Sequence, residues 1–285
     1  MKSELSLLYP EWQSYGENAL VHAGALEIVQ SLFKVTDFLH VRVPQEERLQ
    51  RTNGVLGLNS IAPRFRETIR KLQTIAPAKI FMIGGTCGVE IAPVGYLNDR
   101  YQGNLAVIWF DAHGDLNTPI SSPSGHFHGM ALRTLLGDGP VEYTGELQRF
   151  LRPQQVFLAG TRDLDPPEVA YCSEMAISIS PSEEFVTPEI LVRRIRERGF
   201  KNVYLHLDLD VLNPESFPNS LMQTPGGPST AEVQTMLKAL SDNFDVVGFS
   251  IVEYCERGGK IKDLKNLVRE SGITIGSTRD FAGSC

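Results

Sequence analysis

Short apolar segments rich in Val, Ile, Leu and Phe alternate along this chain with longer amphipathic segments, and this alternation constrains the fold most strongly. The apolar segments are nearly continuous, which is typical of parallel strands covered on both faces. We therefore predict a three-layer α/β fold with a central parallel sheet and helices on both faces. The predicted strands are Phe38–Val43, Lys79–Ile83, Leu105–Asp111, Gln155–Ala159, Ala176–Ser180, Asn202–Asp208 and Asp245–Ile251. The predicted helices are Asn18–Phe33, Ser60–Thr74, Leu191–Arg198, Ala231–Leu240 and Leu264–Glu270.

The general composition excludes several classes of protein. No linker rich in Pro, Gly and Ser interrupts the 285 residues, so we expect residues 1–285 to form a single domain. The net charge of −7 and the scattered basic residues argue against nucleic acid and anionic membranes as partners. No apolar run approaches the roughly 20 residues of a membrane-spanning helix. The four cysteines lie far apart, which fits a reducing compartment and predicts a cytoplasmic protein.

Acidic and imidazole side chains follow directly after the apolar segment 106–110. If the strand continued in extended form, Asp111, His113 and Asp115 would point to the same side. They would then lie at the carboxyl edge of the sheet, where α/β proteins bind their ligands. A polar turn with solvated acids is the alternative. The triplet Asp-x-His-x-Asp after a wholly apolar strand favours a metal site over that alternative.

A second acidic cluster lies in the predicted strand that ends near residue 208. Tyr204, His206, Asp208 and Asp210 share one face, and leucines occupy the other. Two carboxylates on one face of a core strand repel each other unless a cation lies between them, whereas an exposed edge strand would tolerate them. The two clusters together supply four carboxylates and an imidazole, enough for two ions with shared ligands. Such oxygen-rich ligation suits Mn²⁺.

These motifs resemble those of the arginase (ureohydrolase) family and follow one another in the family's order. The resemblance implies the arginase-type fold, one or two Mn²⁺ ions per chain, and hydrolysis of a small guanidino substrate to urea and an amine. It also implies a homo-oligomer, since members are commonly trimers or hexamers. The matching segments are 111–119 (DAHGDLNTP), 124–129 (SGHFHG), 160–168 (GTRDLDPPE), 207–214 (LDLDVLNP) and 251–253 (IVE).

The resemblance also implies roles for individual residues. Asp111 and Asp208 would bridge two ions, Asp115 would ligate the first ion, and His113 and Asp210 would ligate the second. The implied catalytic set is Asp115 together with His128, which would transfer protons, and Glu253, which would pair with the guanidinium group. The implied substrate contacts are Asn117 and Ser124 near the α-carboxylate, His126 in the place of the family's Asn, and Asp165 and Glu168 near the α-amino group.

The first motif departs from the family. It normally reads Gly-Gly-Asp-His-Ser, but residues 84–88 read Gly-Gly-Thr-Cys-Gly, so Cys87 stands where the family has a metal-ligating histidine. A soft thiolate matches hard Mn²⁺ poorly. Either Cys87 is a thiolate ligand, or the first site is weak and one ion binds, or arginase activity is lost. Simple packing of a buried cysteine is the ordinary alternative. We include Cys87 among the expected ligands.

The substrate remains open between several guanidino compounds. Some family members that act on Nω-hydroxy-L-arginine also carry Cys in the first motif, so we expect arginine or Nω-hydroxyarginine as substrate. Segment 160–168 favours an α-amino acid over agmatine. The alternatives are hydrolysis of agmatine, guanidinobutyrate or formiminoglutamate, or a non-catalytic member with a degraded metal site. His206 either donates a hydrogen bond to a ligand carboxylate or replaces a metal ligand.

Overall fold

Eight parallel strands form the central sheet of the computed structural model, which describes residues 4–16, 18–255 and 261–273. In chain order the strands are β1 (Glu4–Tyr9), β2 (Phe38–His40), β3 (Arg51–Thr52), β4 (Val55–Leu56), β5 (Lys79–Gly84), β6 (Ala106–Phe110), β7 (Val156–Ala159), β8 (Ser178–Ser180), β9 (Asn202–Asp208) and β10 (Asp245–Val252). The order across the sheet is β2-β1-β5-β10-β9-β6-β7-β8, and β3 and β4 form a separate antiparallel hairpin.

Helices cover both faces of this sheet. They are α1 (Leu20–Leu32), α2 (Leu58–Ile75), α3 (Ile91–Arg100), α4 (Ala131–Leu135), α5 (Val141–Thr144), α6 (Pro166–Glu174), α7 (Glu189–Glu197), α8 (Thr230–Asn243) and α9 (Ile261–Glu270). Leu72 of α2 and Leu97 of α3 belong to the core on one face, whereas Ile28 of α1 and Leu237 of α8 belong to the core on the other. The predicted three-layer α/β architecture is therefore confirmed.

Strand β5 explains why the apolar segments are continuous. Ile80 and Met82 point into one core, and Phe81 and Ile83 point into the other. All four side chains are almost completely buried. Since both faces of a central parallel strand are covered by helices, every position from Ile80 to Ile83 is apolar.

Some elements differ from the sequence predictions. The sequence analysis did not predict β1, α3 or α6, because Glu4 interrupts the short apolar stretch at the N-terminus and prolines lie inside or at the start of the two helices. The predicted strand Phe38–Val43 ends already at His40. Within the described ranges, no helix is both long and apolar enough to cross a bilayer.

The sheet order brings four chain segments together. Strands β5, β10, β9 and β6 are successive neighbours at the centre of the sheet. Val252 of β10 pairs with Asp208 of β9, and Phe110 of β6 pairs with Leu207. The segments that follow these strands therefore meet at one edge, although they are far apart in the sequence.

Candidate metal centre and active site

A continuous cluster of metal-ligating side chains lies at this carboxyl edge. Among the described residues, three groups bring one potential ligand atom per residue to within 4.8 Å of the others. One group shares Cys87 with the second and Asp111 with the third, so the three form one cluster. They are Cys87, Asp111, Asp115 and His206; Cys87, Asp208 and Glu253; and Asp111, His113 and Asp210.

Asp111 occupies the centre of the cluster. Its Oδ1 accepts a hydrogen bond from the backbone N–H of His113 at 2.6 Å, and its Oδ2 accepts one from the Trp109 indole at 3.2 Å. Burial alone would raise the pKa of this carboxyl group, but the neighbouring imidazoles of His113 and His206 outweigh burial and lower it. Asp111 is thus held ionised where a cation would need it.

His113 and Asp210 form a tight pair beside Asp111. His113 Nδ1 lies 2.9 Å from Asp210 Oδ2, and Asp210 Oδ1 accepts the N–H of Ala112 at 3.1 Å. Burial would lower the pKa of His113, but hydrogen bonds to Asp111 and Asp210 raise it far above its usual value. Burial and Asp111 raise the pKa of Asp210 to about 6. The buried carboxylates therefore need a positive charge nearby, and the protonated ring of His113 provides it when no metal is bound.

The segment after β6 reaches this geometry through a turn rather than an extended strand. Strand β6 ends at Phe110, and Asp115 adopts a left-handed backbone with φ of 52°. The assumption of an extended strand end over residues 111–115 is therefore wrong, although the structure does bring the three side chains together. Asp115 is buried, and its Oδ2 makes no hydrogen bond within the described residues. Burial and the charge of Asp111 raise its pKa well above the usual value.

The Asp-x-Asp motif also leaves the extended conformation. Asp208 is the last residue of β9, and Asp210 lies in the 3-10 turn Leu209–Val211. The Oδ1 of Asp208 accepts the N–H of Asp210 at 2.8 Å. Burial, followed by the charge of Asp210, raises the pKa of Asp208 well above its usual value. Simple strand alternation, which places both carboxylates on one face, is therefore not what brings them into the cluster.

Glu253 enters the cluster through an unusual backbone. Its φ is 61°, and its N–H donates to the carbonyl of Gly85 at 2.8 Å. A Cβ on Gly85 would lie 1.9 Å from the Glu11 carbonyl oxygen, so only glycine fits this position. Left-handed conformations cost energy for residues with a Cβ and concentrate at functional sites. The Glu253 carboxylate accepts the N–H of Cys87 at 3.3 Å.

A polar pocket of about 390 Å³ opens onto the cluster. His113 and Asp115 belong to both, so the pocket leads directly to the candidate metal ligands. Burial lowers the pKa of His128 to about 3, so its ring is neutral at physiological pH. Further lining residues are Tyr15, Asn117, Ser124, His126, Asp163, Asp165, Glu168 and Met222.

Several predicted substrate contacts also make hydrogen bonds within the protein. Asn117 Nδ2 donates to Asp165 Oδ2 at 2.8 Å. The two oxygens of Glu168 accept the N–H groups of Leu116 and Asp165, each at 2.8 Å, which fixes the start of α6 against the segment that follows β6. The exposed Ser124 accepts the N–H of His126 on its Oγ at 3.1 Å. The structure therefore brings these residues to one pocket, and their roles toward a substrate stay predictions.

The sequence analysis missed four residues that shape the site. The ring of Tyr15 lies beside that of His128, with ring centres 4.9 Å apart and planes tilted by 36°. Arg162 donates to the carbonyls of Asp210 at 3.1 Å and Thr224 at 2.8 Å, and so ties two loops together. Arg162 lies within a matched motif and Glu90 lies three residues after Cys87, which are weak signals. Nothing in the sequence indicates Tyr15 or Trp109.

Comparison with known proteins identifies the class of enzyme. A model of the arginase family matches residues 15–255, a span that includes every predicted site residue. The chain belongs to the arginase family. It is accordingly a hydrolase that acts on C–N bonds of amidine groups. This family is metal-dependent, and the buried carboxylates with an unpartnered Asp115 oxygen fit a divalent cation.

Individual relatives agree with this membership. An arginase from Staphylococcus aureus (strain COL) is 31% identical over 279 residues, which cover 92% of this chain and 89% of that protein. The structure of Entamoeba histolytica arginase in complex with L-ornithine matches with a TM-score of 0.84 at 19% identity, over 95% of this chain and 99% of that one. A formimidoylglutamase from Bacillus subtilis subsp. subtilis str. 168 matches with a TM-score of 0.71 at 16% identity, over 95% and 86% of the two chains. The fold alone therefore does not select the substrate.

Removal of metal should make stability depend on pH. Burial raises the pKa of Asp115, Asp208 and Glu253 above their unfolded values, so the folded state retains protons that the unfolded state releases. Each retained proton lowers the free energy of unfolding by about 1.4 kcal/mol per pH unit as the pH rises. His128 opposes this trend only below its unfolded pKa of about 6.5. Chelator-treated protein should therefore lose stability from about pH 6.5 upward.

Thermal unfolding at several pH values checks this expectation. The Tm of the chelated protein should fall as the pH rises, and a saturating divalent ion should flatten the curve because it replaces the retained protons. A Tm that is constant or rises over this range without metal would contradict the expected charge repulsion in the cluster.

Proposed function

We propose that the chain hydrolyses the guanidino group of an arginine-like α-amino acid, either arginine or Nω-hydroxyarginine. The products are urea or hydroxyurea and an amine. The observation that carries this proposal is the continuity between the acidic cluster and the polar pocket, since His113 and Asp115 line both. The carboxylates at the inner end of the pocket would suit a guanidino group, and the polar and acidic residues at its mouth would suit an amino-acid group.

We assign the metal ligands by combining the resemblance with the geometry. Six residues would hold the ions, with Cys87 and Asp115 at the first ion, His113 and Asp210 at the second, and Asp111 and Asp208 beside them. Most of these donors are oxygens, which supports Mn²⁺ as the ion for the second site. When bound, such ions supply a nucleophile from water at neutral pH and stabilise developing negative charge.

The chain's own residues would orient the guanidinium group and handle the proton. Glu253 is a buried carboxylate, and its Oε1 lies 3.9 Å from His128 Nδ1. Burial and Asp210 raise the pKa of Glu253 well above its usual value, so a cationic guanidinium beside it would stabilise the ionised form. His128 is neutral at physiological pH and would accept a proton at a ring nitrogen and pass it to the leaving amine.

The mouth of the pocket would recognise the α-amino acid. Asp165, which accepts from Asn117, offers negative charge for the ammonium group. Asn117, Ser124 and His126 offer donors for the carboxylate. A substrate without a carboxylate, such as agmatine, would leave these donors unpaired. The homo-oligomer and the cytoplasmic location stay predictions.

Steady-state kinetics on three substrates test the proposal. We expect Nω-hydroxy-L-arginine to have a kcat/KM at least about tenfold above that of L-arginine, or about 1.4 kcal/mol in transition-state stabilisation. Hydroxylation lowers the basicity of the guanidine, so the substrate depends less on a first metal site altered by Cys87. Agmatine should be the poorest substrate because it lacks the carboxylate.

The measurement quantifies urea, hydroxyurea and the amine product, with and without chelator. A clear preference for L-arginine would contradict the assignment to hydroxyarginine. Release of no product from any of these compounds by metal-loaded protein would contradict the proposed activity as a whole.

A further inference from the structure

We infer that His206 is a ligand of the first metal site, which it forms with Cys87, Asp111 and Asp115, and that this site selects Zn²⁺ over Mn²⁺. The protein would then combine a mixed sulfur–nitrogen–oxygen site with an oxygen-rich one. This inference concerns the metal centre of the proposed hydrolase and rests on that proposal.

The spacing of the donor atoms supports this ligand set. Cys87 Sγ lies 3.7 Å from His206 Nε2 and 3.9 Å from Asp111 Oδ2, and these last two atoms are 3.9 Å apart. The three atoms thus form a nearly equilateral triangle. A tetrahedral ion with bonds of about 2.0–2.3 Å places its ligand atoms about 3.3–3.8 Å apart. Small movements of these side chains would therefore complete three bonds.

Asp115 supplies the fourth donor. One of its carboxylate oxygens lies within 4.8 Å of the other three ligand atoms. Its Oδ2 is buried and makes no hydrogen bond to the described residues. An unpartnered, buried carboxylate oxygen costs free energy unless a cation or a donor satisfies it.

The far side of the His206 ring has the arrangement of a metal-ligating histidine. Its Nδ1 lies 3.1 Å from Glu90 Oε1, which is an ion-pair distance without hydrogen-bond geometry, and the other Glu90 oxygen accepts the hydroxyl of Tyr204 at 2.7 Å. Histidines that bind metals usually direct their second nitrogen to a carboxylate or carbonyl in this way. The ring also stacks on Trp109, with centres 3.7 Å apart and planes 27° apart. His206 is therefore fixed with Nε2 toward the cluster.

Packing alone explains this orientation less well. His206 and Glu90 are both completely buried. The Nε2 atom has only the Cys87 sulfur at 3.7 Å, a weak partner, and the Asp111 oxygen at 3.9 Å, which is beyond hydrogen-bonding distance. A merely structural histidine would direct both ring nitrogens to close partners.

The identity of the donors determines the metal preference. Thiolate and imidazole favour borderline ions such as Zn²⁺ and Co²⁺, whereas Mn²⁺ prefers carboxylate and water ligands. The group of His113, Asp111 and Asp210 has no sulfur donor. The two sites would therefore differ in preference, with Zn²⁺ in the first and Mn²⁺ in the second.

Cobalt substitution and zinc titration test the ligand set without reference to activity. Metal-free protein loaded with Co²⁺ should show a thiolate-to-cobalt charge-transfer band in the near ultraviolet and intense visible bands of four-coordinate cobalt. Cys87→Ser should remove the charge-transfer band, while Cys172→Ser, at another buried cysteine, should keep it. His206→Asn should weaken the first Zn²⁺ site by at least about a hundredfold, more than loss of an outer partner usually does. His22→Asn, at a buried histidine of α1, should not.

Two further measurements test the ligand set even if the Cys87 or His206 variants do not fold. X-ray absorption at the zinc edge of the wild-type protein should show one sulfur scatterer together with nitrogen and oxygen. Glu90→Gln should weaken Zn²⁺ binding about tenfold to a hundredfold, because it removes the carboxylate behind His206. Absence of sulfur at the zinc edge, or unchanged Zn²⁺ affinity in a folded His206→Asn variant, would overturn the inference.

The outcomes also separate this inference from the proposed function. Protein that binds zinc through sulfur and nitrogen but releases no product would support the metal site and reject the hydrolysis. Active protein with Mn²⁺ in both sites and no thiolate band would support the hydrolysis and reject the metal site.

Discussion

Asp111→Asn should lower kcat/KM by about a thousandfold or more, equivalent to about 4 kcal/mol. Asp111 is the carboxylate shared by the Cys87–His206 group and the His113–Asp210 group, so its loss affects both proposed ions. Asparagine keeps the shape of the side chain and an oxygen for the N–H of His113. The expected loss therefore reflects charge and ligation rather than packing.

Metal analysis should accompany the kinetics of Asp111→Asn. Fewer than one tightly bound ion per chain should remain, and the loss of activity should parallel the loss of metal. Asp245→Asn is a matched control, because Asp245 is a half-exposed carboxylate at the opposite end of the sheet, paired with Lys79. Surface pairs of this kind contribute little to stability. Full metal content with unchanged kinetics in Asp111→Asn would contradict the assigned bridging role.

The fold could be predicted well from the sequence because a continuous apolar segment of this length is typical of a strand buried on both faces. Strands such as β5 are buried on both faces, so their continuous apolar segments stand out from the amphipathic helices. The elements that escaped prediction are those with mixed signals. Helix α3 contains Pro93 and Gly95, and α6 begins with two prolines, so neither has a clean helical periodicity.

The candidate site was predictable as a set of residues but not as a geometry. Parallel strands deliver their following segments to one edge, so Asp111 and Asp208 were expected to meet. The turns that orient Asp115 and Asp210 toward the cluster were not predicted. A left-handed residue or a 3-10 turn has no clear pattern in the amino-acid sequence. His206 illustrates the same limit. Its position in the strand was evident, but the Glu90 contact that orients its ring joins residues 116 positions apart.

The buried carboxylate cluster also accounts for part of the net charge of the chain. The chain carries a charge of −7, yet Asp111, Asp115, Asp208, Asp210 and Glu253 are all almost fully buried. Protons, the imidazolium of His113 or bound cations must offset these charges. Much of the net negative charge of the chain therefore lies in the site rather than on the surface.

Glu253→Gln should lower kcat/KM for L-arginine by about a hundredfold to a thousandfold. Removal of one charge from a buried ion pair costs about 2–5 kcal/mol, and glutamine keeps an oxygen for the N–H of Cys87. The loss should be smaller for Nω-hydroxy-L-arginine, since a less basic guanidine depends less on a carboxylate partner.

Metal content decides what the Glu253→Gln result means. Glu253 also belongs to a group with Cys87 and Asp208, so it is a candidate ligand as well as a guanidinium partner. If it pairs with the guanidinium, the variant should keep its metal and lose activity. Glu67→Gln, at an exposed residue of α2 paired with Lys71, should change neither quantity. Loss of an ion from Glu253→Gln would contradict the guanidinium role and place Glu253 among the metal ligands instead.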